Sequence, residues 1–228
     1  MARLPIIGAM HSTSRPVNSS AIPNRGAIVA RGKRLEYLTI AWNSFEAAVA
    51  LISGLVAGSV ALIGFGLDSV IETTSAVILL WRLRADEEPE QRERSELLAH
   101  RLVGACFLLL AAYVMLESVH ALWIHERAAR SIAGILIAIA AVIVMPLLAR
   151  AKRRVAVELG SRALHSDSRQ ASFCAYLSAI LLVGLALNTL LGWWWADPVA
   201  ALVMVPIIAR EGVQGLRGES CDDCGGAH

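Results

Sequence analysis

Six apolar stretches, each close to 20 residues or longer, leave this chain few architectures to choose from. About 20 such residues in an α-helix cross the roughly 30 Å hydrocarbon core of a bilayer. The stretches run at about residues 35 to 57, 60 to 83, 97 to 120, 131 to 149, 167 to 187 and 190 to 209, and each predicts one membrane-crossing helix. The expected fold class is an all-α membrane protein, a six-transmembrane-helix bundle. With 56% hydrophobic and 18% charged residues, the composition excludes disorder and argues against a soluble enzyme.

The connections are short at Gly58-Ser59 and near Asn188, so helices 1 and 2 and helices 5 and 6 are expected as antiparallel hairpins. No soluble domain fits between any two spans. The chain divides into residues 1–34, a polar N-terminal tail, residues 35–210, the six-helix unit, and residues 211–228, a short tail that contains cysteine. The brief apolar run from Leu4 to Met10 is too short and weak for a signal peptide.

Charge orients the bundle. Of the 21 Lys and Arg residues, 19 fall on one side of these spans; Arg127 and Arg130, between helices 3 and 4, are the exceptions. By the positive-inside rule both termini are expected in the cytoplasm, with the protein in the cell membrane. Trp193-Trp194-Trp195 then falls at the outer interface, where amphipathic indoles are favoured. The overall charge of +2 implies no nucleic-acid partner.

Acidic residues inside spans cost about 2.5 to 3.5 kcal/mol each at mid-membrane, so they are expected to face the bundle interior and to mark a pathway. Glu46, Asp68, Glu72 and Glu117 qualify. Asp68 and Glu72 are four residues apart, which puts both carboxylates on one helix face within reach of one shared cation. Two close anions in a low dielectric cannot both stay charged without a counter-charge, so they either share protons or hold a metal. On helix 5, Gln170 and Cys174 repeat the four-residue step, and Cys174 lies at a depth similar to Glu72. A thiolate, two carboxylates and an amide oxygen make a four-ligand divalent cation site; taken alone, Cys174 reads as an inert buried thiol.

Other positions carry two readings. Asn43 and Glu46, three apart on helix 1, serve either as outer ligands or a proton relay, or as an interhelical polar clamp. Glu117, His120 and His125 read as solvated interfacial residues rather than an exit station or outer site, and Asp197, just before Pro198, as a cap on the helix segment beginning there rather than a ligand. The tail residues Cys221, Cys224 and His228, with Asp222 and Asp223, either collect metal or bridge a dimer, or stay unliganded. The mixed-charge stretch from Arg84 to Glu96 reads as a solvated turn extending helix 2 or 3 rather than an acidic cation funnel. No phosphate-binding loop, ATP site or nucleophile–base pair stands out, so no enzyme activity and no prosthetic cofactor are expected, and any transport would draw on an ion gradient.

Two strings carry a resemblance: Gly64-Phe65-Gly66-Leu67-Asp68-Ser69-Val70-Ile71-Glu72, and Ser161-Arg162-Ala163-Leu164-His165-Ser166-Asp167-Ser168 leading into helix 5, with Asp197-Pro198 in helix 6. Over about residues 33 to 210 the chain resembles the cation diffusion facilitator family. That resemblance implies a six-helix metal transporter whose site combines a carboxylate pair on helix 2 with a His-x-x-x-Asp pair on helix 5. Here those helix 5 positions hold Gln170 and Cys174, while His165 sits five residues too early and is expected at the interface. Losing the imidazole removes a zinc ligand and a proton carrier. The thiol shifts preference towards softer ions, zinc or cadmium over manganese or magnesium.

Most members carry a soluble metal-binding domain after helix 6, whereas about 18 residues follow it here, as in a shorter branch of the family. A homodimer would then rest on the helices, with Gly54-x-x-x-Gly58 as its packing surface. The expected function is efflux of zinc or a similar divalent cation by proton antiport; the alternative is a non-transporting metal-sensing or regulatory membrane protein on the same fold. The expected partners are the divalent cation, protons, the lipid bilayer and a second copy of the chain.

Overall fold

A computed structural model of the chain describes residues 25–82, 89–160 and 162–217. They form α1 (Arg25–Ala57), α2 (Val60–Arg82), α3 (Pro89–Trp123), α4 (Ile132–Leu159), α5 (Arg162–Leu191) and α6 (Ala196–Arg217). All six are long and apolar enough to cross a membrane, as helices whose backbone polar groups are satisfied within the segment. This is a multi-pass membrane protein, and Ile52, Leu55, Leu109, Leu136 and Leu190 point outward to meet lipid.

The helices outrun the hydropathy blocks, mainly at the end of the bundle where Lys and Arg collect. α1 starts at Arg25 rather than near 35, α3 at Pro89 rather than near 97, and α4 continues past 149 to Leu159. Arg, Lys and Glu are good helix formers, so the backbone stays helical after hydropathy has fallen. Residues 89 to 96 of the mixed-charge stretch accordingly belong to α3; residues 84 to 88 lie outside the described residues.

One turn is misplaced in the sequence reading. Asn188 lies inside α5, where its Nδ2 donates to the Ala128 carbonyl at 3.1 Å and holds the α3–α4 connection. The chain reverses instead at Gly192, whose φ of +67° is ready for a glycine and strained for other residues. α6 therefore begins at Ala196 and runs through Pro206 to Arg217, rather than from 190 to 209.

Helices pack as close pairs, α1 with α2, α4 with α5 and α3 with α6, and α2 also touches α3, α5 and α6. At the α3–α6 crossing the backbones meet: a Cβ on Gly104 would lie 2.8 Å from the Gly212 carbonyl oxygen. Gly54 is similarly committed inside the chain, where a Cβ would sit 2.8 Å from the Ile63 side chain of α2, and Gly58 forms the turn that follows. The Gly54-x-x-x-Gly58 surface expected to hold a dimer is thus used up by the α1–α2 hairpin.

Asp197 also acts across helices rather than on its own. Its Oδ1 accepts from the Ser59 hydroxyl and its Oδ2 from the Val60 amide at 2.9 Å, so it supports the first turn of α2, not α6. Ser59 in turn accepts from the Leu62 amide, as an N-cap does. This tie sets the starts of α2 and α6 level with each other.

Candidate cation site

Asp68 and Glu72 lie one helical turn apart on the buried face of α2, 3% and 5% exposed. Cys174 of α5, fully buried, meets them: one ligand atom from each of the three lies within 4.8 Å of the others. A hydrogen-bonded shell surrounds the group. Asn43 Nδ2 donates to Glu72 Oε2 at 2.8 Å. Glu46 accepts from Ser69 at 2.7 Å, from Trp42 Nε1 at 2.7 Å and from Cys174 Sγ at 3.6 Å. Asn43 therefore reaches Glu72 directly, while Glu46 holds the thiol and ties α1 to α2 and α5.

Gln170 lines one small cavity together with Asp68 and Glu72, but its Oε1 faces the Ser75 hydroxyl at 3.5 Å. Among the buried polar atoms without a hydrogen-bond partner, three belong to Asp68 (Oδ2), Asn43 (Oδ1) and Gln170 (Nε2). Unpaired polar atoms in such a place are costly, and two of the three are oxygens able to coordinate a cation. Asp68 has the acids Glu46, Glu72 and Glu211 as charged neighbours; Glu72 faces Asp68, Glu46 and Asp167, opposed by Lys152. Acids therefore outnumber bases here, and either protons or a divalent cation would balance them.

Two features escaped the sequence reading. Lys152 had been counted only as one of the basic residues beyond the spans, yet its side chain is fully buried, paired with Asp167 and, at 3.3 Å, with Glu36. The signal was present: the buried positions of α4, Met145, Leu148, Ala149, Val155 and Ala156, follow a three–four spacing that passes straight through Lys152. Glu211 had been assigned to the tail. It stands three residues after the buried Ile208, on the same side of α6, and lines the cavity with Asp68 and Glu72.

The remaining candidates lie apart. Glu117 and His120 are exposed on α3, and the His125 ring rests 4.8 Å from that of Trp194. Trp193 and Trp195 stack at 5.0 Å in the α5–α6 connection. His165 is half-buried near the start of α5, away from the cluster, and its carbonyl accepts from Ser168. Cys221, Cys224 and His228 lie outside the described residues.

Comparison with known proteins gives a consistent picture. The model of the cation efflux transmembrane domain matches residues 37–218. The chain is similar to an uncharacterized transporter of Synechocystis, 30% identical over 153 residues, which is 64% of this chain and 49% of that protein. It is also similar to Transmembrane protein 163 of Xenopus laevis, 29% identical over 167 residues, covering 65% and 58% respectively. The chain spans about half the length of these curated relatives.

Proposed function

Because the chain belongs to the cation efflux transmembrane family, we propose that it carries a divalent metal cation, zinc before others, out of the cytoplasm across the cell membrane. Asp68, Glu72 and Cys174 bind the ion, with Gln170 at the edge of the site. The observation that supports this most directly is the buried acid–thiol group, in which three potential ligand atoms converge within 4.8 Å. A thiolate beside carboxylates favours zinc or cadmium over magnesium or manganese. Binding requires deprotonated ligands, so protons compete for the same atoms and proton antiport is the natural coupling. Both termini are cytoplasmic on this reading, with the basic end of the bundle inside. By its resemblance to the family the protein acts as a homodimer, which light scattering of the detergent-solubilised protein would check.

The deciding experiment is zinc flux into proteoliposomes under an imposed proton gradient, with the intact protein, Asp68→Ala and Cys174→Ala. Gradient-dependent flux that disappears in Asp68→Ala is expected. A second reading, metal sensing without transport, is favoured by Gln170 and Cys174 standing where the family has His and Asp, with the Gln170 oxygen also turned to the Ser75 hydroxyl at 3.5 Å. Stoichiometric zinc binding without flux in the same vesicles would select it.

A further inference from the structure

We propose that Glu211 forms a second, weaker station for the divalent cation on the basic side of the cavity, through which the ion passes between the cytoplasm and Asp68 and Glu72. This rests on the reading of Asp68, Glu72 and Cys174 as the cation site. Asp197 ties the first turn of α6 to the first turn of α2, so distances along the two helices share an origin. At about 1.5 Å per residue, Asp68 and Glu72 lie about 12 and 18 Å along α2, and Glu211 about 22 Å along α6. The three carboxylates therefore descend in order towards the basic end, and all three line one cavity.

Both ends of that cavity offer an unused oxygen. Asp68 Oδ2 and Glu211 Oε2 are buried without hydrogen-bond partners, and Asp68 is itself 3% exposed. The walls between are mostly apolar, with Phe107 and Phe173, and apart from the Gln170 amide the acids are the polar steps available to a cation there. The two ends differ in their charged neighbours. Asp68 has the acids Glu46, Glu72 and Glu211, whereas Glu211, besides Asp68, has Arg169 and Arg210. The arginines offset the charge of Glu211 and make it the looser binder. A transit site needs that balance, firm enough to admit the ion and weak enough to release it.

The test measures initial zinc flux against zinc concentration in proteoliposomes, and equilibrium zinc binding by calorimetry in detergent, for the full chain, Glu211→Gln, Glu211→Asp and Asp68→Ala. Glu211→Gln should raise the half-saturating zinc concentration about tenfold, while the equilibrium affinity changes less than about threefold. Glu211→Asp should recover most of the flux, and retained binding shows that the variants fold. The proposal is overturned if Glu211→Gln leaves the flux curve unchanged, if it weakens equilibrium binding as severely as Asp68→Ala, or if Glu211→Asp fails as badly as Glu211→Gln. If the intact protein binds no zinc, the cation-site reading fails first and this one with it; intact flux with an indifferent Glu211→Gln defeats this proposal alone.

Discussion

At the basic end of the bundle Lys152 stands between Glu36 and Asp167; deeper in, Asp68 and Glu72 face Cys174 and Glu46, and Lys152 opposes Glu72 by its charge without forming an ion pair with it. Both clusters gather acids from neighbouring helices into largely buried places. In the first, the chain supplies its own cation, and three helices, α1, α4 and α5, are pinned by it. In the second, the side-chain amide of Asn43 and the hydroxyl of Ser69 bring hydrogen bonds but no full positive charge. A buried anion excess of that kind costs stability unless protons or a metal cancel it. The contrast separates an ion cluster that completes the fold from one that is left to be completed by a ligand.

The largest effect should come from destroying the built-in cation. Lys152→Met leaves Glu36 and Asp167 facing each other, and should cost about 3 to 5 kcal/mol of stability. Thermal melting in detergent measures it, and Glu72→Gln, which removes charge from the uncompensated cluster, should leave metal-free melting unchanged or raise it. An unchanged melting temperature in Lys152→Met would erase the distinction between the clusters. Next in size is the ligand itself: zinc at about 100 times its Kd should stabilise the intact protein by about 2.7 kcal/mol. No such shift is expected in Asp68→Ala, and an equal shift there would place the zinc elsewhere.

Cys174→Ser sharpens the comparison from the ligand side. Exchanging soft sulfur for hard oxygen should lower the affinity for cadmium relative to manganese by about tenfold, or about 1.4 kcal/mol. Competition binding of the two ions reads this directly, and an unchanged ratio would return the thiol to a packing role. The smallest effect belongs to neither cluster. Asp197→Ala removes the acceptor at the start of α2 and should cost about 1 kcal/mol in melting, with zinc affinity kept. A loss of zinc binding there would mean that the level of α2 against α6 also sets the site.

Much of this was readable along the chain because the governing signals are local. Hydropathy marks a span whatever its neighbours are, and the four-residue step from Asp68 to Glu72 puts both acids on one face of any helix. Helix ends were less legible. The extensions of α1, α3 and α4 consist of polar helix formers, which no hydropathy block records, and Asn188 reads as a turn residue until its amide is seen on the Ala128 carbonyl. The periodic burial through Lys152 was legible in principle, but a lysine in a basic run is ordinarily taken as solvated.

The sequence by itself determined six membrane helices, the side of the bundle that carries the positive charge, and an acidic pair on α2 in need of a counter-charge. Tertiary structure alone decided which partners each polar group received: Glu46 for Cys174, Asn43 for Glu72, α2 rather than α6 for Asp197, α2 rather than a second chain for Gly54, and two acids for Lys152. The reason is physical. Crossing a membrane depends on the sum of residue transfer energies along one helix, whereas pairing a buried polar group depends on which helices pack beside it, and that is settled by the fit of side chains distant in the chain.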